Sequence, residues 1–429
     1  MAFADRFGAI TLALSNPHYR RYTIGNVCSH FGMWAYRIAL QWLTWKLTGS
    51  AFWLGVMAAA DLLPTVFLAP LAGAITERVN RLGMMKFAIG FATLQSLALA
   101  ALCLWGEVTI WAVFVLTLSL GLVLAFNHPI RLVIVPNIVG RDALASAVAI
   151  NSLVFNIARV AGPTIAGGII AAGGDGAAAA ILGAGLVFAF NAGANAIFVA
   201  MLFTVRMRSN GRVGPRQPIA AIPGEIKAGF AYAAAHPGLG RMLLILLITA
   251  LCGRTFIDLF SGFVDRVFGE GAEALGYLMS AVGAGAICAG FWLAQRGQIE
   301  GLTRIVLSAI LLLSAALVVF ATTDHFPLAV FAVFVAGFAL TVAGTGEHTL
   351  IQAAVDEHMR GRVVSIYGAI SRGCPSLGAM IMGAIGDLAG LRWPVAGGAA
   401  ICMLLWLWAW RQRDALAMAL ETAPGGVDH

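Results

Sequence analysis

About a dozen apolar stretches, each long enough to cross a bilayer, fill this chain of 429 residues. A helix needs about 20 mostly apolar residues to span the hydrocarbon core, and lipid offers no partner to an unsatisfied backbone N–H or C=O. Such a chain must fold as helices that satisfy their own backbones. Hydrophobic residues make up 60% of it and charged residues 11%, and the mean hydropathy is +0.88, an excess no water-soluble core of this size needs. The pattern predicts helices over approximately 22–46, 52–75, 83–105, 108–130, 145–172, 178–204, 240–264, 273–294, 304–322, 326–349, 363–386 and 393–410. The expected fold class is an all-α membrane protein of twelve transmembrane helices, with both termini on one side.

Lys and Arg gather in alternate connections. With a cytoplasmic N-terminus, 20 of the 27 basic residues fall on the cytoplasmic side, and only Lys46, Arg266 and Arg392 fall opposite. Basic residues resist translocation, so the expectation is a bacterial inner-membrane protein with cytoplasmic termini. The same bias, with contact to anionic lipids, accounts for the net charge of +7. No nucleic-acid motif is present. Met1 to Tyr19 reads as a cytoplasmic lead-in helix rather than a signal peptide. The six cysteines lie in apolar spans without CxxC or Cys/His metal spacing, so neither disulfides nor zinc are expected. The sequence also lacks a Ser-His-Asp order, a GxxxxGK[ST] loop and HExxH. An enzyme, an ATP-driven pump and a resident cofactor are therefore not expected.

The longest polar stretch lies between Arg206 and Pro237 and divides the spans six and six. The domains expected are a six-helix bundle over 1–205, a cytoplasmic central loop over 206–238, and a second bundle with a short tail over 239–429. A weak repeat supports pseudo-symmetry: a shift of 216 residues places Arg131 on Glu347, and each half carries a helix interrupted by Arg then Pro, Arg159 and Pro163 in one and Arg372 and Pro375 in the other. Two related bundles are what a secondary transporter is built from. Small residues such as Gly162, Gly167, Gly168, Gly283, Gly285 and Gly290 allow close helix approach in lipid.

The turn after the second span reads Gly73-Ala-Ile-Thr-Glu77-Arg78-Val-Asn80-Arg81. It resembles the G-x-x-x-D-R-x-x-R signature of the major facilitator superfamily, with Glu77 in place of the usual Asp. Leu47-Thr48-Gly49-Ser50, Leu63-Pro64, Phe126-Asn127-His128-Pro129-Ile130-Arg131, Val135-Pro136, Asn151-Ser152, Phe155-Asn156, Arg159-Val-Ala-Gly162-Pro163 and Arg360-Gly361-Arg362-Val363 are similar to the branch that includes enterobactin exporters and macrolide efflux proteins. The resemblance implies the major facilitator fold, two pseudo-symmetric six-helix bundles around a cavity that opens alternately to either face. It also implies a cytoplasmic gate of Gly73, Glu77, Arg78 and Arg81, with Arg131 as carboxylate partner. A bidentate Arg–carboxylate pair that forms in one state and breaks in the other biases the equilibrium; a static surface salt bridge is the alternative.

An ionisable group at membrane depth costs about 2.5–3.5 kcal/mol on insertion scales, so each should face the bundle interior or water. Six stand out: Arg37, Asp61, Arg159, Arg254, Asp258 and Arg372. Arg254 and Asp258 are four apart and share one helical face if the helix is regular, either as a self-neutralising pair or as part of a site. Trp34, Arg37 and Gln41 form one polar stripe, and Ser152, Asn156 and Arg159 another; a water-lined cavity and helix-to-helix hydrogen bonding both fit them. Asp61 is the expected proton carrier, with Asp258 second, and a static ion pair is the alternative. His30 is the better titrating histidine, against a satisfied packing role. Glu347 and His348 read as an interfacial polar end.

Buried arginines outnumber buried acids, and Arg does not release its proton in any useful pH range. That surplus favours an anionic cargo, with Trp34, Tyr36, Trp42 and Tyr367 adding flat apolar surface. The leading expectation is a proton-coupled exporter, an antiporter, of small amphipathic, siderophore- or drug-like compounds, functional as a monomer. The partners expected are a small-molecule substrate, a proton or other coupling ion, and membrane lipids. Import of an anionic nutrient or siderophore, lipid flipping, and a non-transporting receptor or scaffold are the alternatives.

Overall fold

The structure is a computed structural model that describes residues 13–76, 79–174, 176–207 and 222–421. Its helices in chain order are α1 (Pro17–Thr48), α2 (Ala51–Thr76), α3 (Arg81–Trp105), α4 (Ile110–Ile138), α5 (Arg141–Ala171) and α6 (Ala177–Thr204), then α7 (Ile222–Ala235) and α8 (Leu239–Val267, irregular). They continue as α9 (Ala272–Arg296), α10 (Leu302–Thr322), α11 (Phe326–Ala354), α12 (Arg360–Ala389), α13 (Arg392–Arg411) and α14 (Arg413–Glu421). The described chain is all-α, and ten of these helices are long and apolar enough to cross a bilayer. It is an integral membrane protein. The exposed surface is correspondingly apolar, with Phe67, Phe291 and Leu388 standing out and Trp105, Trp111 and Trp393 at helix ends, where indoles favour the membrane interface.

The expected spans at 22–46 and 363–386 correspond to α1 and α12, which fall outside those ten. Length is not the reason: at 32 and 30 residues they reach about 45 Å at 1.5 Å per residue. Both are diluted by polar residues. α1 buries Thr23, Asn26, Ser29 and His30, and α12 carries Arg360, Arg362, Ser365, Ser371 and Arg372. The two helices that read least like lipid-facing spans are also those richest in candidate site residues.

The chain divides into two compact units, one of Met1–Thr48, Phe67–Ile219 and Gly271–Gly276, the other of Gly49–Val66, Ala220–Glu270 and Tyr277–His429. In the first, α1 packs on α6 through glycines seven residues apart. A Cβ on Gly25 would sit 2.5 Å from Phe198 Cδ2, and one on Gly32 2.6 Å from Asn191 Oδ1. A buried chain of hydrogen bonds then ties α1, α3 and α6 together. Ser29 Oγ donates to Asn195 Oδ1 (2.7 Å), Asn195 Nδ2 to Asn191 Oδ1 (3.2 Å), Asn191 Nδ2 to Ser96 Oγ (2.7 Å), Ser96 Oγ to Gln95 Oε1 (3.4 Å), and Gln95 Nε2 to Tyr36 Oη (3.0 Å). Lipid gives helices no hydrophobic reason to associate, so close packing and bonds of this kind hold them.

In the second unit, α8 is α-helical only over Leu239–Ile248. It passes through a π segment (Thr249–Gly253), a 3-10 segment (Thr255–Leu259), a short α turn (Phe260–Gly262) and a second π segment (Phe263–Val267). Phe256, Phe260 and Phe263 anchor its C-terminal half against Phe320 of α10, the tightest of these ring pairs being Phe263 and Phe320 at 4.6 Å. Asp387 of α12 caps the start of α2, accepting from Ala51 N at 2.7 Å and Phe52 N at 3.2 Å. Within the segment expected as the central loop, α7 packs on α12, where Glu225 faces Arg362 at 3.6 Å. Backbone N–H of Asp356 donates to Tyr232 Oη at 3.2 Å.

Of the small residues singled out in the sequence, Gly162, Gly167 and Gly285 are close-approach positions, whereas Gly168 and Gly290 face open space.

Candidate functional site

Each unit holds a cluster of fixed cations at membrane depth. In the first, Gly162 lets α5 lie against α1 so closely that a Cβ there would be 2.6 Å from Trp34 Cβ. That approach brings Arg159, one turn earlier on α5, to the same indole as Arg37. Arg37 Cζ lies 5.4 Å and Arg159 Cζ 6.0 Å from the Trp34 ring centroid, both in cation–π range. Phe155 abuts Trp34 edge-on at 5.7 Å. Trp34 Nε1 is buried without a hydrogen-bond partner. The cluster is thus two guanidinium groups, an aromatic face and an unused N–H donor. Gln41 lies one turn beyond Arg37, half-buried, and Asn156 Nδ2 donates to Ser152 O of its own helix at 2.8 Å.

In the second unit the cluster gathers on α8, α11 and α12. Arg254 sits at the junction of the π and 3-10 segments of α8. A 3-10 helix has 3.0 residues per turn, so the four-residue spacing of Arg254 and Asp258 does not fall on a regular α-helix, and Asp258 engages another group. Arg254 acts electrostatically on Glu347 of α11, which is 2% exposed. Tyr367 of α12 joins this cluster: its Oη donates to Gly344 O at 2.9 Å, its ring meets that of His348 at 4.7 Å with a 36° tilt, and Glu347, Arg254 and Arg372 all act on it.

The remaining expected residues distribute as follows. Asp61 and Asp258 are half-buried, and each engages another group. Tyr36 and Trp42, expected as cavity surface, are core residues: Tyr36 is 5% exposed against Phe188, and Trp42 is 3% exposed beneath Lys46 Nζ at 4.6 Å. His30 is satisfied, its Nδ1 lying 2.8 Å from Asn26 O. Of the gate residues, Gly73 falls in the last turn of α2, Glu77 and Arg78 lie outside the described residues, and Arg81 is buried in the first turn of α3, whose N-cap is Asn80. Arg131 of α4 is half-buried and acts on Tyr22 and His30 of α1.

Glu347, which sequence reasoning did not single out as a site residue, is a buried acid. The signal was in the repeat. Shifts of 217, 216 and 213 residues carry Arg37 onto Arg254, Arg131 onto Glu347 and Arg159 onto Arg372. Both halves hold an arginine on the first and fifth spanning helices, and the fourth carries a charge whose sign is inverted between them.

Membrane-length helices carrying charged side chains are what a transporter of the major facilitator fold is built from, and the family and relatives that this chain matches are membrane transporters, not enzymes. Residues 10–420 match the family described as Transmembrane secretion effector, and the chain belongs to that family of the major facilitator superfamily. It is 24% identical over 379 residues to the Staphyloferrin A transporter of Staphylococcus aureus, covering 87% of this chain and 91% of that one. It is 25% identical over 364 residues to the multidrug efflux pump Tap of Mycolicibacterium fortuitum (83% and 86%) and 23% identical over 360 residues to the enterobactin exporter of Escherichia coli (83% and 79%). The fold matches a bacterial homologue of the human lysosomal transporter Spinster at a TM-score of 0.73, with 14% identity over 98% of this chain and 99% of that one.

Proposed function

We propose that this protein is a secondary active transporter that exports small amphipathic anions in exchange for protons, by alternating access of two bundles over 1–205 and 239–429. The observation that carries the cargo class is the convergence of Arg37, Arg159 and the unpartnered Trp34 Nε1 on one aromatic face. Guanidinium groups stay charged throughout the working pH range, and a flat ring beside them accommodates the apolar part of an amphipathic anion. Relatives named for staphyloferrin A transport, enterobactin export and multidrug efflux support outward movement of such compounds. The basic bias supports an inner-membrane orientation with both termini cytoplasmic: tags at Gly214 and the C-terminus would be shielded in intact cells and one at Gly174 labelled from outside.

The test is transport of a labelled panel of anionic, neutral and cationic amphipaths in proteoliposomes, with and without an imposed proton gradient. The expected result is gradient-stimulated movement of anions that Arg159→Gln weakens at least about tenfold, the equivalent of ~1.4 kcal/mol, with little effect on neutral compounds. Equal transport of neutral and anionic members by parent and variant would refute the cargo class. No movement of any compound would refute transport.

A further inference from the structure

The end of α6 in the first unit gathers more positive charge than its own helix calls for. The starts of α1 and α3 meet it there, joined by a buried cluster that includes Tyr22, Met85 and Phe198. Arg21 Nη1 donates to Thr204 O, on the last residue of α6, at 3.4 Å, and Lys86 Nζ lies 4.5 Å from the centroid of the Phe203 ring. The backbone N–H of Arg206 donates to His18 Nδ1 at 3.3 Å, which places a further exposed arginine beside them. A helix C-terminus leaves carbonyls unpaired and favours a nearby cation. Arg21 meets that need, and Lys86 and Arg206 exceed it. The stretches that build this rim, 13–24, 79–90 and 198–207, hold Arg20, Arg21, Arg81, Lys86 and Arg206 and no Asp or Glu. Among the described residues no ion pair includes any of these cations. The rim also lies at a membrane boundary. Phe203 in the last turn of α6 is 69% exposed, and Phe87 beside Lys86 is exposed too, on helices long and apolar enough to cross a bilayer.

We propose that this rim binds one anionic phospholipid, with its phosphate between Arg21, Lys86 and Arg206 and an acyl chain along Phe203. Cation and aromatic ring stand together here, Lys86 over Phe203, so the headgroup and chain of one molecule can meet both. A free phosphate would meet the cations alone; the exposed ring beside them assigns the site to a lipid. Long basic side chains at the end of a span reach for the headgroup layer while their stems lie along apolar surface. Each Lys or Arg near an anionic lipid contributes about fivefold in affinity. Three of them set an anionic lipid well above a zwitterionic one, whose own cation stays close to its phosphate. This is one saturable place on the first unit, distinct from the general attraction of basic connections for anionic lipid. It holds whatever cargo the transporter moves.

The experiment is native mass spectrometry of the purified full-length protein in detergent, titrated with three probes. These are phosphatidylglycerol, phosphatidylcholine with the same acyl chains, and glycerol phosphate, which carries the anion and no chain. The first phosphatidylglycerol is expected to bind at least about tenfold more tightly than phosphatidylcholine or glycerol phosphate. Arg21→Gln and Lys86→Gln should each weaken it about fivefold, and Lys86→Arg, which keeps the charge, by less than about twofold. Phe203→Ala should weaken both lipids and leave the preference between them. Arg360→Gln, which removes an exposed arginine from the second unit, should leave the first lipid's affinity within about twofold. Melting of each variant in lipid-free detergent, matched to the parent, separates a lost site from a lost fold, and Arg21→Gln tests the site independently of α3. Equal affinity for the two lipids, or losses in Arg21→Gln and Lys86→Gln no larger than in Arg360→Gln, would overturn the proposal in favour of diffuse attraction. Glycerol phosphate binding as tightly as phosphatidylglycerol would overturn it in favour of a free-phosphate site.

Discussion

Asn191→Ala breaks the polar chain of the first unit at its middle. The side chain donates to Ser96 Oγ across to α3 at 2.7 Å and accepts from Asn195 Nδ2 at 3.2 Å. A hydrogen bond between helices in a membrane protein averages about 0.6 kcal/mol. The truncation also strands the buried Asn195 amide, whose lost partner costs about 1–3 kcal/mol. Together these give ~1.6–3.6 kcal/mol. Asn156→Ala is the control, because its amide bonds only to Ser152 O within α5 and its loss should fall within about 0.5 kcal/mol. Reversible unfolding of purified protein in mixed micelles titrated with dodecyl sulfate reads both values on one scale. A cycle with Ser29→Ala, which bonds Asn195 at 2.7 Å, should be non-additive by about 0.5 kcal/mol or more. Equal costs for Asn191→Ala and Asn156→Ala, with an additive cycle, would refute the view that the chain of bonds holds α1, α3 and α6 together.

Gly285→Leu should lower folded yield sharply and destabilise by about 1–3 kcal/mol, because its Cβ would meet Phe338 N at 2.8 Å as well as the Phe334 carbonyl, whereas Gly290→Leu on the same helix meets nothing; fluorescence size-exclusion of tagged variants separates the two. Burial holds the His236 imidazole below its ordinary value near 6.5, against a smaller upward pull from Asp356, and its Nδ1 accepts from Gly238 N and Leu239 N at the start of α8. The neutral ring is the form the fold prefers, so this capping is complete above the ordinary value and is lost as pH falls below 6.5 toward the depressed folded value; hydrogen-exchange protection factors at Gly238 and Leu239, corrected for the intrinsic pH dependence of exchange, should fall over that window in the parent and stay flat in His236→Gln. Asp61→Asn, at the acid expected from the sequence to carry the proton, should abolish gradient-driven accumulation in the proteoliposome assay while retaining exchange at equilibrium; normal accumulation in that variant would take coupling away from Asp61.

The spanning helices were legible in the sequence almost to their ends: expected spans at 52–75, 178–204 and 326–349 correspond to helices Ala51–Thr76, Ala177–Thr204 and Phe326–Ala354. The reason is physical. In lipid each backbone group must be satisfied within its own segment, so a span is a local property, and local composition is enough to find it. Arg37 and Arg159 were legible for the same reason, since a charge in an apolar run is conspicuous wherever the helix packs. What each charge faces is not local. Arg254 acts on Glu347 from a different helix, and the four-residue rule that pairs it with Asp258 assumes a regular helix, which α8 is not beyond Ile248. Glu347 lies late in its span, and packing of α8 and α12 around α11 buries it. The chain from Ser29 to Tyr36 joins residues up to 166 positions apart, and no periodicity in one segment encodes a partner in another. Sequence determined which segments enter the membrane and which charges they carry; tertiary packing alone decided which of those charges meet, because helix association in lipid depends on matched surfaces rather than on apolarity, which every span shares.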